Sequence, residues 1–315
     1  TTALDLSFSL SSGQTNTYEA SSVRTIGKVV DKSNLDEFNV PKEFSKVFSI
    51  ASVESTANSF YYNSTTDILY VHTFDDRSPD TDILSLFASS NGTLGDTNNS
   101  VYIENCNFYG GSPMISGNTD TNNRKEVVFN NCEFSYATSK DGIFMNGYTN
   151  NYFYECQAHY NLGDGFNYNG FSFGFEWQSK GYYNGNLNSN KANNGSTGHA
   201  DCRVLRIKPD FSKSRGKSIQ DVENTVSYTI NANIGESLLP VSDVDGAGIG
   251  SNSIQGGTLT KMYLIDCNVG GYGYKINNFN ESILYIKGGN ILESPRVEEL
   301  GSQIVEINKI IDISV

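Results

Sequence analysis

Apolar and polar residues alternate in short runs along most of this 315-residue chain. From residue 101 onward, VYIENCNF, VVFNNCEF, YFYECQAH, MYLIDCNV, ILYIKGGN and IVEINKI each place an apolar side chain at about every second position. A period of two is that of a strand, whose successive side chains face opposite sides. Between residues 127 and 170 one unit is written twice: an alternating run ending in Asn-Cys or Glu-Cys, a polar spacer, Asp-Gly, and a second alternating run. Asp141-Gly142 and Asp164-Gly165 stand 23 residues apart, and Cys132 and Cys156 stand 24 apart. A period in the low twenties built from strands predicts a β-solenoid, each turn of which buries its inner face only by stacking on its neighbours. The expected fold is all-β, a right-handed parallel β-helix with asparagine-rich corners whose side chains bond from turn to turn.

The pattern divides the chain into a β-rich lead-in over residues 1–96 and the solenoid over 97–315. In the lead-in, Pro41 argues against one long helix, and the runs at 60–62 and 68–74 read as a hairpin or a strand corner. The stretch DDRSPDTD at 75–82 brings four carboxylates together. Two readings stand: oxygen ligands for Ca²⁺, or Asp side chains capping their own turn, the second favoured by the lack of EF-hand spacing. Between 171 and 262 the period breaks into long polar loops, and insertions in repeat proteins commonly carry the function. Residues 310–315 read as a final strand with no capping helix, so either the chain continues or another subunit covers that edge.

Charge narrows the partners. Lys and Arg total 22 against 35 Asp and Glu, a formal net charge of −13, which argues against nucleic acid or an anionic membrane surface. No apolar run reaches the ~18 residues of a membrane span, and the opening TTALDLSFSLSSG lacks the basic start of a signal peptide. The five cysteines are odd in number and form no C-x-x-C pair, so they read as free thiols, and neither a metal nor a cofactor is expected. Cys106, Cys132, Cys156 and Cys267 share one place in the strand motif and are expected to stack inward.

The run GDGFNYNG at 163–170, Phe-Glu-Trp at 175–177, Asn-Gly-Ser-Thr-x-His at 194–199 and RVLRI from Arg203 resemble bacteriophage tailspikes and related right-handed β-helix proteins. So does LYVHTFDDRSPD at 69–80, and the likeness holds in matching order over roughly 60–280. It implies a homotrimeric, extracellular host-recognition spike of the virion tail that binds, and often cleaves, bacterial capsular or surface polysaccharide. Two positions depart from the family pattern: Asn169 stands where the family carries His, and Ala200 separates His199 from Asp201.

Glycosidic cleavage needs two carboxylates across the bond, or, for a lyase, a base beside a neutralised uronate. Carboxylates on consecutive turns of a solenoid stand ~4.8 Å apart, near the ~5–5.5 Å of retaining glycosidases, while positions i and i+2 of one strand stand ~6.8 Å apart, in the inverting range. Asp141 and Asp164 satisfy the first arithmetic, though both also fit an Asx corner repeated with the turn. Glu176 lies beside the only Trp, so Glu176 and Trp177 read as a sugar subsite, or as the exposed and buried faces of one strand. His199 and Asp201 share a face at i, i+2, with a proton-shuttling or a loop-holding role for the His. Arg203 and Arg206 suit an acidic sugar or carboxylates of the chain, and Lys180, Tyr182 and Tyr183 a glycan surface.

The resulting expectation is a depolymerase, a hydrolase rather than a lyase, with Glu176 and Asp201 or Asp164 as acid and nucleophile or base and His199 assisting. A non-catalytic carbohydrate-binding spike, and a lyase or epimerase using a base near Lys180–Tyr182 and Tyr183, are the alternatives.

Overall fold

The computed structural model describes residues 3–87, 92–93, 99–117, 123–185, 193–236, 238–239, 248–253, 259–270, 276–291, 296–298 and 301–307. The chain forms two compact units. One comprises residues 1–90 with the short pieces 109–111 and 136–139, and the other holds the remainder.

The first unit has two small sheets. Ala3–Leu4, Ile83–Phe87, Ile26–Leu35 and Pro41–Glu43 make one, and Ser9–Leu10, Tyr18–Ser21, Ile68–His72, Ser59–Asn63 and Ser45–Lys46 the other. Ser59–Asn63 and Ile68–His72 pair antiparallel, forming the hairpin read from the alternation. Ile26, Val29, Phe44, Phe60, Leu69 and Val71 bury the alternating faces in one core. The DDRSPDTD carboxylates gather around basic side chains of the first unit. Arg77 makes a forked pair with buried Asp31 at 3.0 Å on each arm and reaches Asp75 at 3.3 Å, while Asp76 meets His72 Nε2 at 2.6 Å.

The second unit is a parallel β-helix. Among the described residues three parallel sheets run along it, with one strand of each sheet in each full turn. Sheet 1 has nine strands, from Gly92–Thr93 to Arg296–Glu298; sheet 2 has nine, from Val101–Glu104 to Gln303–Glu306; sheet 3 has seven, from Asn107–Tyr109 to Asn268–Val269. Successive turns stay in register, Phe129 beside Phe153, Phe153 beside Glu176, and Glu176 beside Arg206 on sheet 2. The interval 171–262 keeps the three-strand turn. Its departure from the low-twenties period comes from residues added between Lys180–Tyr182 and Ser196–Gly198, between Asn233–Ile234 and Ile249–Asn252, and between Ile249–Asn252 and Lys261–Ile265. The expected strand at 310–315 lies outside the described residues.

One residue turns each corner from sheet 2 to sheet 3. Asn105, Asn131, Glu155, Gln178, Lys208, Asn231 and Asp266 all have φ between 49° and 54°, the left-handed region that Asn and Asp tolerate best. Their N–H groups donate to carbonyls of the next turn, as Asn131 does to Tyr154 and Glu155 to Trp177. The residue after the corner faces inward, which buries Cys132, Cys156 and Cys267 in the expected ladder, whereas Cys106 on the first turn is exposed. Inside, Phe129 stacks on Phe153 with centroids 5.2 Å apart, and Phe134, Phe166 and Phe211 fill the lumen. Each such ring contributes roughly 1.5–3 kcal/mol by burial, a gain a single turn cannot secure alone.

Candidate functional site

Asp-Gly recurs at 141–142 and 164–165 because on these turns the corner from sheet 3 to sheet 1 leaves no room for a side chain at its second residue. A Cβ on Gly142 would lie 2.7 Å from the Gly165 carbonyl oxygen, and one on Gly165 2.5 Å from that of Gly195. The preceding residues form a ladder. Asp141 Oδ1 accepts the main-chain N–H of Asp164 at 2.8 Å, Asp164 Oδ1 that of Asn194 at 2.6 Å, and Asn194 Oδ1 that of Lys217 at 2.8 Å. At Asn194 a neutral amide fills this role. At these three corners the ladder uses an acceptor oxygen, not a charge, and stacking two carboxylates on consecutive turns is electrostatically costly.

The oxygens that the ladder leaves over converge. Asn167 Nδ2 donates to Asp141 Oδ2 at 3.1 Å and to Asp164 Oδ2 at 3.2 Å, which sets the two oxygens no more than about 6 Å apart. Asp164 is 6 % exposed and Asp141 half-buried. Burial and then the neighbouring Asp141 charge push the Asp164 carboxyl up to about 8. Burial also raises Asp141, against the opposing pull of the Asp164 N–H and the Asn167 amide. At neutral pH the pair thus holds a proton on Asp164, as a general acid must. Phe144 lies directly beside Asn167 on the neighbouring strand of sheet 1, both half-buried on its outer face. An aromatic face next to an acid pair suits a sugar ring.

The other expected site residues disperse. Glu176 and Trp177 leave opposite faces of Phe173–Trp177, as adjacent strand residues must. Glu176 is wholly buried in the lumen with Arg206, which forks onto Asp221 at 2.9 Å on each arm. Trp177 stays half-buried on the outer face of sheet 2, with Lys208 Nζ 5.8 Å from its ring centre. His199 is half-buried, its titration lowered by burial, and its N–H donates to the Tyr168 carbonyl. Asp201 sits in a left-handed corner, φ 66°, and accepts from Asn224 on the next turn. Exposed Arg203 caps that corner by donating to the carbonyls of Asp201 and Cys202. Lys180 is exposed on sheet 3, Tyr182 is buried and donates to Asp210 Oδ2 at 2.9 Å, and Tyr183 stacks on Tyr160 with centroids 4.8 Å apart.

Of the expected catalytic residues, then, Asp164 is the one that shares a donor with a part-exposed carboxylate, that of Asp141. Asn167 and Phe144, which complete that cluster, were open to recognition as equivalent positions: each lies three residues after its Asp-Gly aspartate. Among the described residues no group of three or more His, Cys, Asp or Glu side chains is placed to hold a metal ion. No protein-family model, no curated protein and no solved structure matches the chain.

Proposed function

We propose that the chain is a polysaccharide-cleaving spike of the bacteriophage-tail type and that Asp141 and Asp164 are its catalytic pair. The observation that carries the reading is the stacking of two carboxylates at a corner where Asn194 shows that an amide suffices. Asp164, holding its proton to about pH 8, is the general acid to the glycosidic oxygen, and Asp141 is the nucleophile on the other side. Their oxygens lie closer than the ~6.5–9.5 Å of inverting enzymes, so the reaction retains anomeric configuration. Asn167 holds both side chains in place, and Phe144 carries a sugar ring.

The likeness over 60–280 supports the assignment to a virion tail, the homotrimer and a bacterial surface polysaccharide as substrate. Incubation with capsular polysaccharides, with sizing of the products, tests the activity: shortened chains without a new ultraviolet absorbance support hydrolysis, an unsaturated-uronate absorbance points to a lyase, and binding without shortening points to an adhesin.

The adhesin reading has its own support. On the outer face of sheet 2 one register column runs Tyr102, Val128, Tyr152, Phe175, Leu205, Tyr228, Tyr263, Tyr285 and Val305. Tyr263 stacks on Tyr228 and on Tyr285, with centroids 4.5 Å apart in both pairs. Such an apolar outer stripe is a binding surface by its chemistry, for glycan or for sister subunits, and needs no catalysis.

A further inference from the structure

The lumen between sheets 1 and 2 holds an ionic group that the catalytic reading does not use. Glu176, Arg206, Asp221 and Tyr168 are all fully buried. Arg206 spends its two terminal nitrogens on Asp221, which also accepts the Gly198 N–H at 3.0 Å and the Ser227 hydroxyl at 2.5 Å. The remaining guanidinium nitrogen, Nε, donates to Ser196 Oγ at 2.9 Å, and Ser196 in turn donates to Glu176 Oε1 at 2.7 Å. Nε itself is 3.6 Å from that oxygen, beyond a hydrogen bond. Glu176 Oε2 and the Tyr168 hydroxyl, both shut off from solvent, make no hydrogen bond of ordinary length, although Tyr168 lies near enough to act on the Glu176 carboxyl.

One cation therefore faces two carboxylates, and it is committed to Asp221. Asp221 has four donors; Glu176 has one neutral hydroxyl and a bare oxygen. A carboxylate with a bare oxygen in a dry interior is strongly disfavoured, and taking up a proton removes the penalty without any rearrangement. We propose that Glu176 is the neutral acid in the folded protein, its proton on Oε2, so that the lumen carries one cation and one anion. The ionisable groups facing it are Tyr168 from Phe166–Asn169, Arg206 from Arg203–Ile207 and Asp221 from Ile219–Val222. Its neighbour on the preceding turn, Phe153, does not titrate. Burial, the largest influence on Glu176, raises its titration, and Arg206 opposes that only in part.

The consequence is a pH response built into the fold. A carboxyl whose folded titration lies above its unfolded one stabilises fully below the unfolded value, about 4.3 for Glu, and loses that contribution as pH rises toward the folded value. The folding equilibrium then weakens about tenfold for each pH unit across that window. In Glu176→Gln this loss is absent, so the variant's melting temperature should gain steadily on the wild type between pH 5 and pH 8. A constant deficit of Glu176→Gln over the same range overturns the proposal, because it is the behaviour of an ionised Glu176 paired with Arg206. An infrared spectrum provides a check that does not depend on that variant folding. In a chain carrying both Asp141→Asn and Asp164→Asn at pH 7, where the two other raised aspartates are gone, a protonated carboxyl stretch should persist, and its absence likewise overturns the proposal.

Discussion

Asp164 stacks directly on Asp141, donating its main-chain N–H to one Asp141 oxygen at 2.8 Å while Asn167 bridges the oxygens left over. The two carboxylates are thus held by the backbone ladder and by one shared amide. Asp164→Asn and Asp141→Asn each preserve the acceptor oxygen the ladder needs, as Asn194 does on the next turn. Both variants should keep the far-ultraviolet dichroism of the β-helix. Loss of a general acid or nucleophile should lower kcat about 10²–10⁴-fold. Variants that fold and still shorten polysaccharide at the wild-type rate would remove the pair from the chemistry.

The pH profile follows from the same pair. The proposed hydrolysis requires Asp164 protonated and Asp141 ionised. Asp164 releases its proton near 8, so kcat/KM should hold through neutrality and decline as the pH rises past about 8. Asp141 is raised by burial, so the acidic limb should fall at a pH above the usual aspartate value. A rate measured from pH 4 to 10 should give a bell, and a rate that climbs steadily through pH 9 would exclude Asp164 as the acid.

Phe144 separates binding from chemistry. Its own ring transfers no proton, and its register partner is Asn167. Phe144→Ala should raise KM by roughly 2–10-fold, the equivalent of the ~0.5–1.5 kcal/mol that an aromatic contact adds, and leave kcat nearly unchanged.

The Asp-Gly corner predicts a stability effect remote from catalysis. In Gly165→Ala the new methyl would meet the Gly195 carbonyl at 2.5 Å and the Asn184 amide nitrogen at 2.9 Å. The carbonyl belongs to a backbone paired on both sides and cannot retreat. A loss of about 1–3 kcal/mol in urea unfolding is expected, the usual cost of overpacking.

The repeat is legible in the sequence because it is local: Asn-Cys reports a left-handed corner, and Asp-Gly one where neighbouring backbones touch. The phase of Phe173–Trp177 is not legible. FGFEW alternates, but alternation fixes a period and leaves open which face is inside. Phe173, Phe175 and Trp177 read as core on hydrophobicity alone, yet they lie outside, and Gly174 and Glu176 point in. Gly174 faces in because the Tyr168 ring occupies the space its Cβ would take, with an approach of 2.2 Å. Glu176 faces in toward Arg206 and Asp221, thirty and forty-five residues downstream. Such long-range partners leave no trace in a five-residue window. Asp141 and Asp164, by contrast, show themselves through spacing alone, since neighbouring turns share their register.

The buried ionic group supplies the last prediction. Arg206 gives Asp221 two of its four donors, so Arg206→Met leaves a charge in the lumen with only the Gly198 N–H and the Ser227 hydroxyl. Breaking a buried pair on one side costs about 3–5 kcal/mol, far more than the pair contributes relative to a neutral filling. Arg206→Met alone should therefore destabilise strongly in urea unfolding. Adding Asp221→Asn removes the stranded charge while keeping an acceptor for Gly198 and Ser227. The double variant should recover much of the loss, and the two substitutions should show a coupling of the order of ~1–3 kcal/mol in a double-mutant cycle. If the two losses simply add, Asp221 is not held by Arg206, and the lumen must obtain its neutrality in another way.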